Sequence, residues 1–565
     1  MMKKWLSKTL ACLLACTSVF SIAACGGSNP YGDLDDGEEE VEKVLDPTKT
    51  QLQVNFFDAG YGSEYMRKLI ARFEEAYKDV SYEDGKTGIQ VWQEGDMRQY
   101  TAQDIASGSK DVYFMESADY YSICASGAGA LEDLTGIVTN PNPDDNGKTI
   151  LSKLSQQQKN YYGITTTDGD AKYYAIPHYE GGYGLIYNKD LFDRENYYMA
   201  DGANRVVTSA TEKRGTGPDG QYGTSDDGLP RTYDEFFTLC DEMAYRGDTP
   251  ICWSGKYSET YLAEFVNYLA ADYEGVEQMQ LNLSFSGTAK DLVVMDNGKV
   301  VFENGKPKTE SLEITTANGA ELSRQLGKYY ALQFLEKIMT TDGYYNDDAY
   351  TPSHTHVMAQ QDFLEAGTKF SEDEDMGFLI DGPWWEMESE AVSSMLGKQD
   401  AAFAQKNRNF GWLPLPKATE EKVGTGSVYL DSMSAIVCVK SGLGPKKQAA
   451  LDFVRFSATD ESLVEFTQIT GTFKSYNYTL TEEQQAELTP FAKSVLEHKS
   501  KSALYVADGN NAFYLKNRTA LSTVRYYAAN GVMTPVAEFK KENRLSAQTY
   551  FEKMYDQWKK SQIWE

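Results

Sequence analysis

From residue 52 onward, short apolar runs alternate with amphipathic stretches. Leu52-Gln53-Val54-Asn55-Phe56-Phe57 predicts a strand, and Asp58-Ala59-Gly60-Tyr61-Gly62 predicts a turn. Met66, Leu69, Ile70, Phe73 and Tyr77 then recur at the spacing of one helix face. Ile89-Gln90-Val91-Trp92 and Asp111-Val112-Tyr113-Phe114-Met115 predict two further strands. Strands alternating with helices indicate an α/β arrangement around a mainly parallel sheet. Ligands of such sheets bind beyond the carboxyl ends of the strands, which draws Asp58, Tyr61, Trp92, Glu94 and Glu116 toward one edge.

Further along, Tyr173 to Tyr179 reads as extended, and Gly181, Gly182 and Gly184 lead into a strand at Leu185-Ile186-Tyr187. A glycine-rich passage between two strands suits a hinge. Val293 to Phe302 predicts a hairpin about Asn297-Gly298, and Ala320 to Met339 a helix with Leu322, Leu326, Tyr329, Leu332, Leu335 and Ile338 among its apolar residues. No repeat of solenoid period is present.

The N-terminus has a different pattern. Lys3, Lys4 and Lys8 precede an apolar stretch from Leu10 to Ala24, too short to span a membrane but suited to the core of a secretory signal. It ends in Ile22-Ala23-Ala24-Cys25-Gly26, which resembles a bacterial lipobox. That resemblance implies cleavage before Cys25 and a lipid on its thiol, so residues 1–24 are the signal peptide. Asp33 to Glu42 is dense in carboxylates and glycine and offers little to bury. We read 25–50 as a disordered acidic leash between anchor and domain.

The remaining length exceeds what one hydrophobic core usually serves, so at least two lobes are expected. The formal net charge of −30 argues against nucleic acid and anionic membrane surfaces as partners. Cys124, Cys240, Cys252 and Cys438 are scattered, form no CxxC pair and sit among apolar neighbours, as buried small hydrophobes do.

Several motifs occur in one order. They are Gly127-Ala128-Gly129-Ala130-Leu131-Glu132-Asp133-Leu134-Thr135; Lys172-Tyr173-Tyr174-Ala175-Ile176-Pro177 followed by Leu185 to Phe192; Leu229 to Phe236; Asp381-Gly382-Pro383-Trp384-Trp385; Phe410-Gly411-Trp412-Leu413-Pro414-Leu415-Pro416; and Ala449 to Thr459. Together they resemble the extracellular solute-binding proteins of ABC sugar importers, the group typified by maltose-binding protein. The resemblance implies a two-lobed periplasmic-binding-protein-like α/β fold, with ligand in a cleft between lobes joined by a three-segment hinge. It implies crossings near His178 to Glu180, near Trp412 and after Ile469. Lobe 1 is then 51–178 with 412–470, and lobe 2 is 179–411 with 471–565. It further implies a monomeric, extracytoplasmic lipoprotein that hands a carbohydrate to membrane permease subunits and requires no cofactor.

Residue chemistry favours the same ligand class. Sugars need flat aromatic faces for their C–H patches and fork-shaped acceptors for paired hydroxyls. The aromatic candidates are Tyr61, Tyr183, Trp253, Tyr257, Trp384 and Trp385, with either tryptophan of the adjacent pair able to face the ligand. The acceptor candidates are Asp58, Glu116, Glu180, Asp381 and Asp431. Abundant carboxylates disfavour an anionic ligand, and the 39 Tyr lean toward a neutral oligosaccharide. In the Asp/Gly loop from Gly217 to Gly228, Asp219, Asp226 and Asp227 are oxygen ligands of the kind calcium uses. His354-Thr355-His356 would share a strand face, with no third metal ligand evident beside it in sequence. The rival functions are a secreted glycoside hydrolase using two carboxylates, and a sugar-sensing or polysaccharide-docking surface lipoprotein.

Overall fold

The computed structural model describes residues 43–57, 60–96, 98–116, 120–125, 129–165, 170–370, 374–431, 435–521 and 532–565. The signal peptide, Cys25 and most of the acidic leash lie outside them, as does Asp58. The chain starts in β1 (Thr50–Phe57), whose Leu52, Val54 and Phe56 are buried. It continues through α1 (Glu64–Ala76), β2 (Ile89–Asp96), β3 (Val112–Glu116) and β4 (Ala175–Pro177). Then come β5 (Gly184–Asn188), β6 (Thr249–Cys252), α2 (Ser258–Glu274), α3 (Leu326–Thr340), α4 (His356–Glu365) and β7 (Met376–Asp381). After α5 (Trp385–Glu388) follow β8 (Phe410–Trp412), β9 (Ser427–Asp431), β10 (Ala435–Val439), α6 (Asp460–Thr470), α7 (Pro490–Lys501) and β11 (Ser502–Val506).

Two sheets organise these elements. The first has the order β2-β1-β3-β10-β4, with β1 parallel to both β2 and β3, and β10 antiparallel to its neighbours. The second has the order β8-β5-β7-β6. Each sheet carries its own hydrophobic core. The burial of both faces explains the nearly continuous apolar sequence of Val112–Met115, Ala435–Val439 and Phe378–Ile380.

Chain crossings join the two sheets. The first runs from Pro177 in β4 to Gly184 in β5, and Tyr179 within it forms a bridge to Lys474. The expected second crossing near Trp412 is corrected by strand pairing. Phe410, Gly411 and Trp412 pair with Asn188, Tyr187 and Ile186 of β5, so this segment belongs to the second sheet. A Cβ on Gly411 would lie 2.3 Å from the Tyr187 ring, so the bare backbone is what lets β8 lie against β5. The return comes between Asp431, paired with Val506 of β11, and Ala435, paired with Glu116 of β3. Residues 412–431 are therefore part of the second lobe. The third passage follows α6, whose Phe466 ring lies 5.0 Å from Tyr65 of the first lobe. It leads to α7, whose Phe491 packs 5.5 Å from Trp385 of the second.

Two local expectations meet different outcomes. The Asn297-Gly298 hairpin forms, with positive φ of 49° and 74° at its two turn residues, as a primed turn requires. The helix from 320 to 339 is divided. Gly319–Arg324 forms a 3-10 turn, Gln325 is extended, and only then does α3 begin. Gln325 accepts from Asn282 and donates to the Gln278 carbonyl, while Arg324 donates to the Val293 carbonyl. These tertiary bonds outweigh a continuous helix.

Candidate functional site

The carboxyl ends of β3 and β7, the first crossing and one face of α2 supply the side chains of the cleft. Asp381 ends β7, and its geometry is fixed from two sides. The Gly382 amide donates to Oδ1 at 2.7 Å, and Gln360 Nε2 donates to Oδ2 at 2.9 Å. The same Gln360 amide donates to Glu388 Oε2 at 2.7 Å, and His356 Nε2 lies 3.2 Å from Glu388 Oε1. One amide thus ties two carboxylates from β7 and α5 to helix α4. Burial, then the charge of Glu388, pushes the Asp381 carboxyl up to about 7. Burial alone would depress the His356 imidazole, but its bond to Glu388 and that residue's charge hold it above its ordinary value.

Beside this polar chain lie aromatic rings. Trp384 follows the Gly382-Pro383 turn and is buried, with its ring perpendicular to Tyr183 at 5.2 Å. Tyr183 in turn tilts against Tyr261 of α2 at 4.4 Å. A Cβ on Gly60 would meet Trp384 Cδ1 at 3.2 Å, and one on Gly181 would meet its Cζ3 at 3.1 Å. Trp384 therefore reaches from the second lobe onto the first lobe's turn and the first crossing. Tyr61 lies on the first-lobe side, tilted on Tyr179 at 4.4 Å, and both hydroxyls are buried without a hydrogen-bond partner among the described residues. Burial raises the Tyr61 phenol well above its ordinary value, and Glu388 and Asp431 add to the shift. Carboxylates of the second lobe thus act on a first-lobe ring.

Other acceptors cluster near the hinge. Glu180, in the first crossing, is buried and paired with Lys499 of α7. Burial still raises its carboxyl above the usual range. Asp431, at the end of β9, accepts from Ser475 Oγ at 3.1 Å, and burial followed by the charge of Glu180 raises it well above 3.8. Glu116 ends β3, half-buried, with Gln99 Nε2 at 3.5 Å.

Not every candidate reaches this place. Trp385 packs among Phe363, Phe410 and Phe491 in the second core, which separates it from its neighbour Trp384. Trp253 is corrected in the same way. It is wholly buried, donates Nε1 to the Ala349 carbonyl at 2.8 Å and packs on Tyr345 and Tyr350. Tyr257 is exposed at the start of α2, its ring 5.5 Å from His356.

Sequence reasoning missed Gln360, Glu388, Tyr179, Tyr261 and Glu264. Glu264 lies one turn after Tyr261 on α2, and burial pushes its carboxyl up to about 7. Its Oε2 is buried without a hydrogen-bond partner among the described residues. A Tyr-x-x-Glu pair on an otherwise apolar helix face was the available signal.

The three calcium candidates are engaged within their own loop. Asp226 accepts from the Asp219 amide and from Thr224 Oγ1, Asp219 accepts from the Gln221 amide, and Asp227 accepts from the Gly223 amide. The three carboxylates close the loop rather than gathering on one point.

Residues 59–463 match the family described as bacterial extracellular solute-binding protein, and the chain belongs to that family. Solved structures share the fold. One described as a xylan-utilisation protein of Caldanaerobius polysaccharolyticus is 12% identical over 90% of this chain and 99% of its own, with a TM-score of 0.52. RafE in complex with raffinose is 12% identical over 90% of this chain and 100% of its own, with a TM-score of 0.50. A chitin oligosaccharide binding protein is 16% identical over 91% and 100%, with a TM-score of 0.50. No curated protein matches the chain in sequence. The fold is the two-lobed solute-binding fold. Among the described residues, no helix is long and apolar enough to cross a membrane.

Proposed function

We propose that this solute-binding protein captures a neutral carbohydrate, an oligosaccharide, outside the cell and delivers it to the permease of an ABC importer, without chemical conversion. The observation that carries this reading is the Trp384–Tyr183 ring pair beside the Asp381–Gln360–Glu388 chain, whose two carboxylates act on the Tyr183 phenol. Aromatic faces accept the C–H side of a sugar ring, and linked carboxylate and amide groups bind paired hydroxyls. The sugars named for the structural neighbours above agree with it. Closure follows because a ligand touching both lobes favours the state in which both are near. Lipidation at Cys25 would hold the protein at the membrane as a monomer beside its permease. Nothing in this reading requires a cofactor. A structural calcium at the 217–228 loop would need Asp219, Asp226 and Asp227 to turn from their present partners, and melting with calcium against EDTA decides it.

The test is a melting screen with raffinose, xylo-oligosaccharides, maltotriose and chito-oligosaccharides. A ligand at about a hundred times its dissociation constant adds about 2.7 kcal/mol, a plain rise in melting temperature. A rise with one sugar class, and the sugar returned unchanged, supports capture. A shortened sugar would replace it with the hydrolase reading, and no response to any sugar would end the carbohydrate reading.

A further inference from the structure

We propose that Asp348, His354 and Asp362 form a zinc site in the second lobe, outside the sugar cleft. Their ligand atoms all lie within 4.8 Å of one another, and among the described residues no other group of three or more His, Cys, Asp or Glu side chains gathers so closely. The three come from separate pieces of backbone. Asp348 lies in a 3-10 turn at Asp347–Tyr350, His354 lies in the segment before α4, and Asp362 lies two turns into α4. The sequence pair His354 and His356 suggested a shared strand face, but His356 opens α4 and turns to Glu388 instead. The missing ligands of His354 are supplied by the fold.

A simple ion pair accounts for only part of this cluster. His354 Nε2 is 2.7 Å from Asp362 Oδ2, which would satisfy one carboxylate. The second carboxylate, Asp348, adds like charge at the same point. Neither Asp348 nor Asp362 has a Lys or Arg ion-pair partner among the described residues. The imidazole is buried, and its Nδ1 has no hydrogen-bond partner there. A buried imidazole whose Nε2 meets Asp362, gathered with the second carboxylate of Asp348, is a divalent-metal donor set. One imidazole and two carboxylates suit zinc, with water in the fourth position. With bonds of about 2.0–2.1 Å, tetrahedral ligands stand about 3.3 Å apart, so the His354–Asp362 contact need open only slightly. Asp348 is exposed and free to adjust.

The site is tied to the cleft wall. Ser254 Oγ and the Lys256 amide both donate to the His354 carbonyl, at 3.2 and 2.9 Å. A Cβ on Gly255 would lie 2.3 Å from the Asp348 carbonyl oxygen, so the loop between β6 and α2 lies directly on the cluster. Zinc here would pin that loop, and with it the start of the helix bearing Tyr261 and Glu264.

The experiment uses the full chain, stripped with EDTA, dialysed, and offered zinc chloride. We expect about one zinc per chain after desalting and a rise in melting temperature of several degrees, since binding free energy adds to folding stability. Asp348→Asn, at an exposed position that should not disturb folding, and Asp362→Asn should each weaken zinc retention at least tenfold. Asp226→Asn, in the 217–228 loop, should retain it. Absence of zinc from the wild-type chain, equal retention by Asp348→Asn, or loss in Asp226→Asn alone would each overturn the assignment. None of these readouts depends on a sugar, so failure here leaves the carbohydrate reading standing.

Discussion

Trp384 and Trp385 are adjacent in sequence and lie in different hydrophobic cores. Trp384 joins the first-lobe core and abuts Gly60 and Gly181, whereas Trp385 packs with Phe363, Phe410 and Phe491 in the second. Trp384 caps α5 in a helical conformation and Trp385 is its first residue, and consecutive helical positions point about 100° apart, so the two rings leave in different directions.

The pair should therefore fail in different ways. Trp384→Ala is expected to weaken sugar binding at least tenfold, about 1.4 kcal/mol. Trp385→Ala is expected to cost about 3–5 kcal/mol of stability, as deletion of a buried aromatic does. Calorimetric titration and urea unfolding of both variants separate the two. Equal effects on affinity would refute the division.

Glycine at 60 is required for contact as well as conformation. Gly60 and Gly85 have nearly the same φ, +76° and +77°, but only Gly60 has a neighbour within 4 Å of a built Cβ, namely Trp384. Alanine at either site carries a strain of about 1–2 kcal/mol. Gly60→Ala should also reduce ligand affinity, and Gly85→Ala should not. Titrating both variants with the same sugar isolates the lobe-to-lobe contact.

Asp381 makes stability depend on pH. Its folded-state pKa is about 7 against an ordinary 3.8, so between those values the native state holds a proton that the unfolded state has lost. Stability from this group is greatest below pH 4 and falls as pH rises to about 7, by up to about 1.4 kcal/mol per unit. Asp381→Asn should flatten that fall. Urea unfolding from pH 4.5 to 7.5 measures it, and parallel curves for wild type and variant would contradict it.

Lys474 should act in the opposite sense. Its Nζ is buried 2.5 Å from His178 Nδ1, and the Phe466 ring lies 4.4 Å away. Burial holds its pKa well below 10.5, so the unfolded chain carries the extra proton. Its contribution to stability rises as pH climbs from the depressed value toward 10.5. Lys474→Met should remove that rise in melting curves taken between pH 7 and 10. A rise of the same size in the variant would place its source elsewhere.

The fold was largely legible in the chain. Val112–Met115 and Ala435–Val439 are apolar because both faces of a central strand are covered, and that pattern needs no partner to be read. The site was legible in part. Asp381 ends a strand, Tyr61 and Trp384 lie at turns and Tyr183 immediately precedes a strand, where motif and geometry coincide. Gln360 and Glu388 carried no such mark. They matter because α4 and α5 bring them to Asp381 from either side in sequence, 21 residues before it in the case of Gln360.

The sequence alone determined that alternating apolar and amphipathic segments would build α/β lobes, and its ordered motifs identified the family, because strand and helix periodicities are local properties. Tertiary structure decided what those periodicities cannot carry. Pairing with β5 moved Trp412 into the second lobe, and packing sent Trp253 and Trp385 into a core. Folding brought Asp348, His354 and Asp362 to one point. Each of these outcomes depends on residues distant in the chain, and contact between distant residues exists only once the chain has folded.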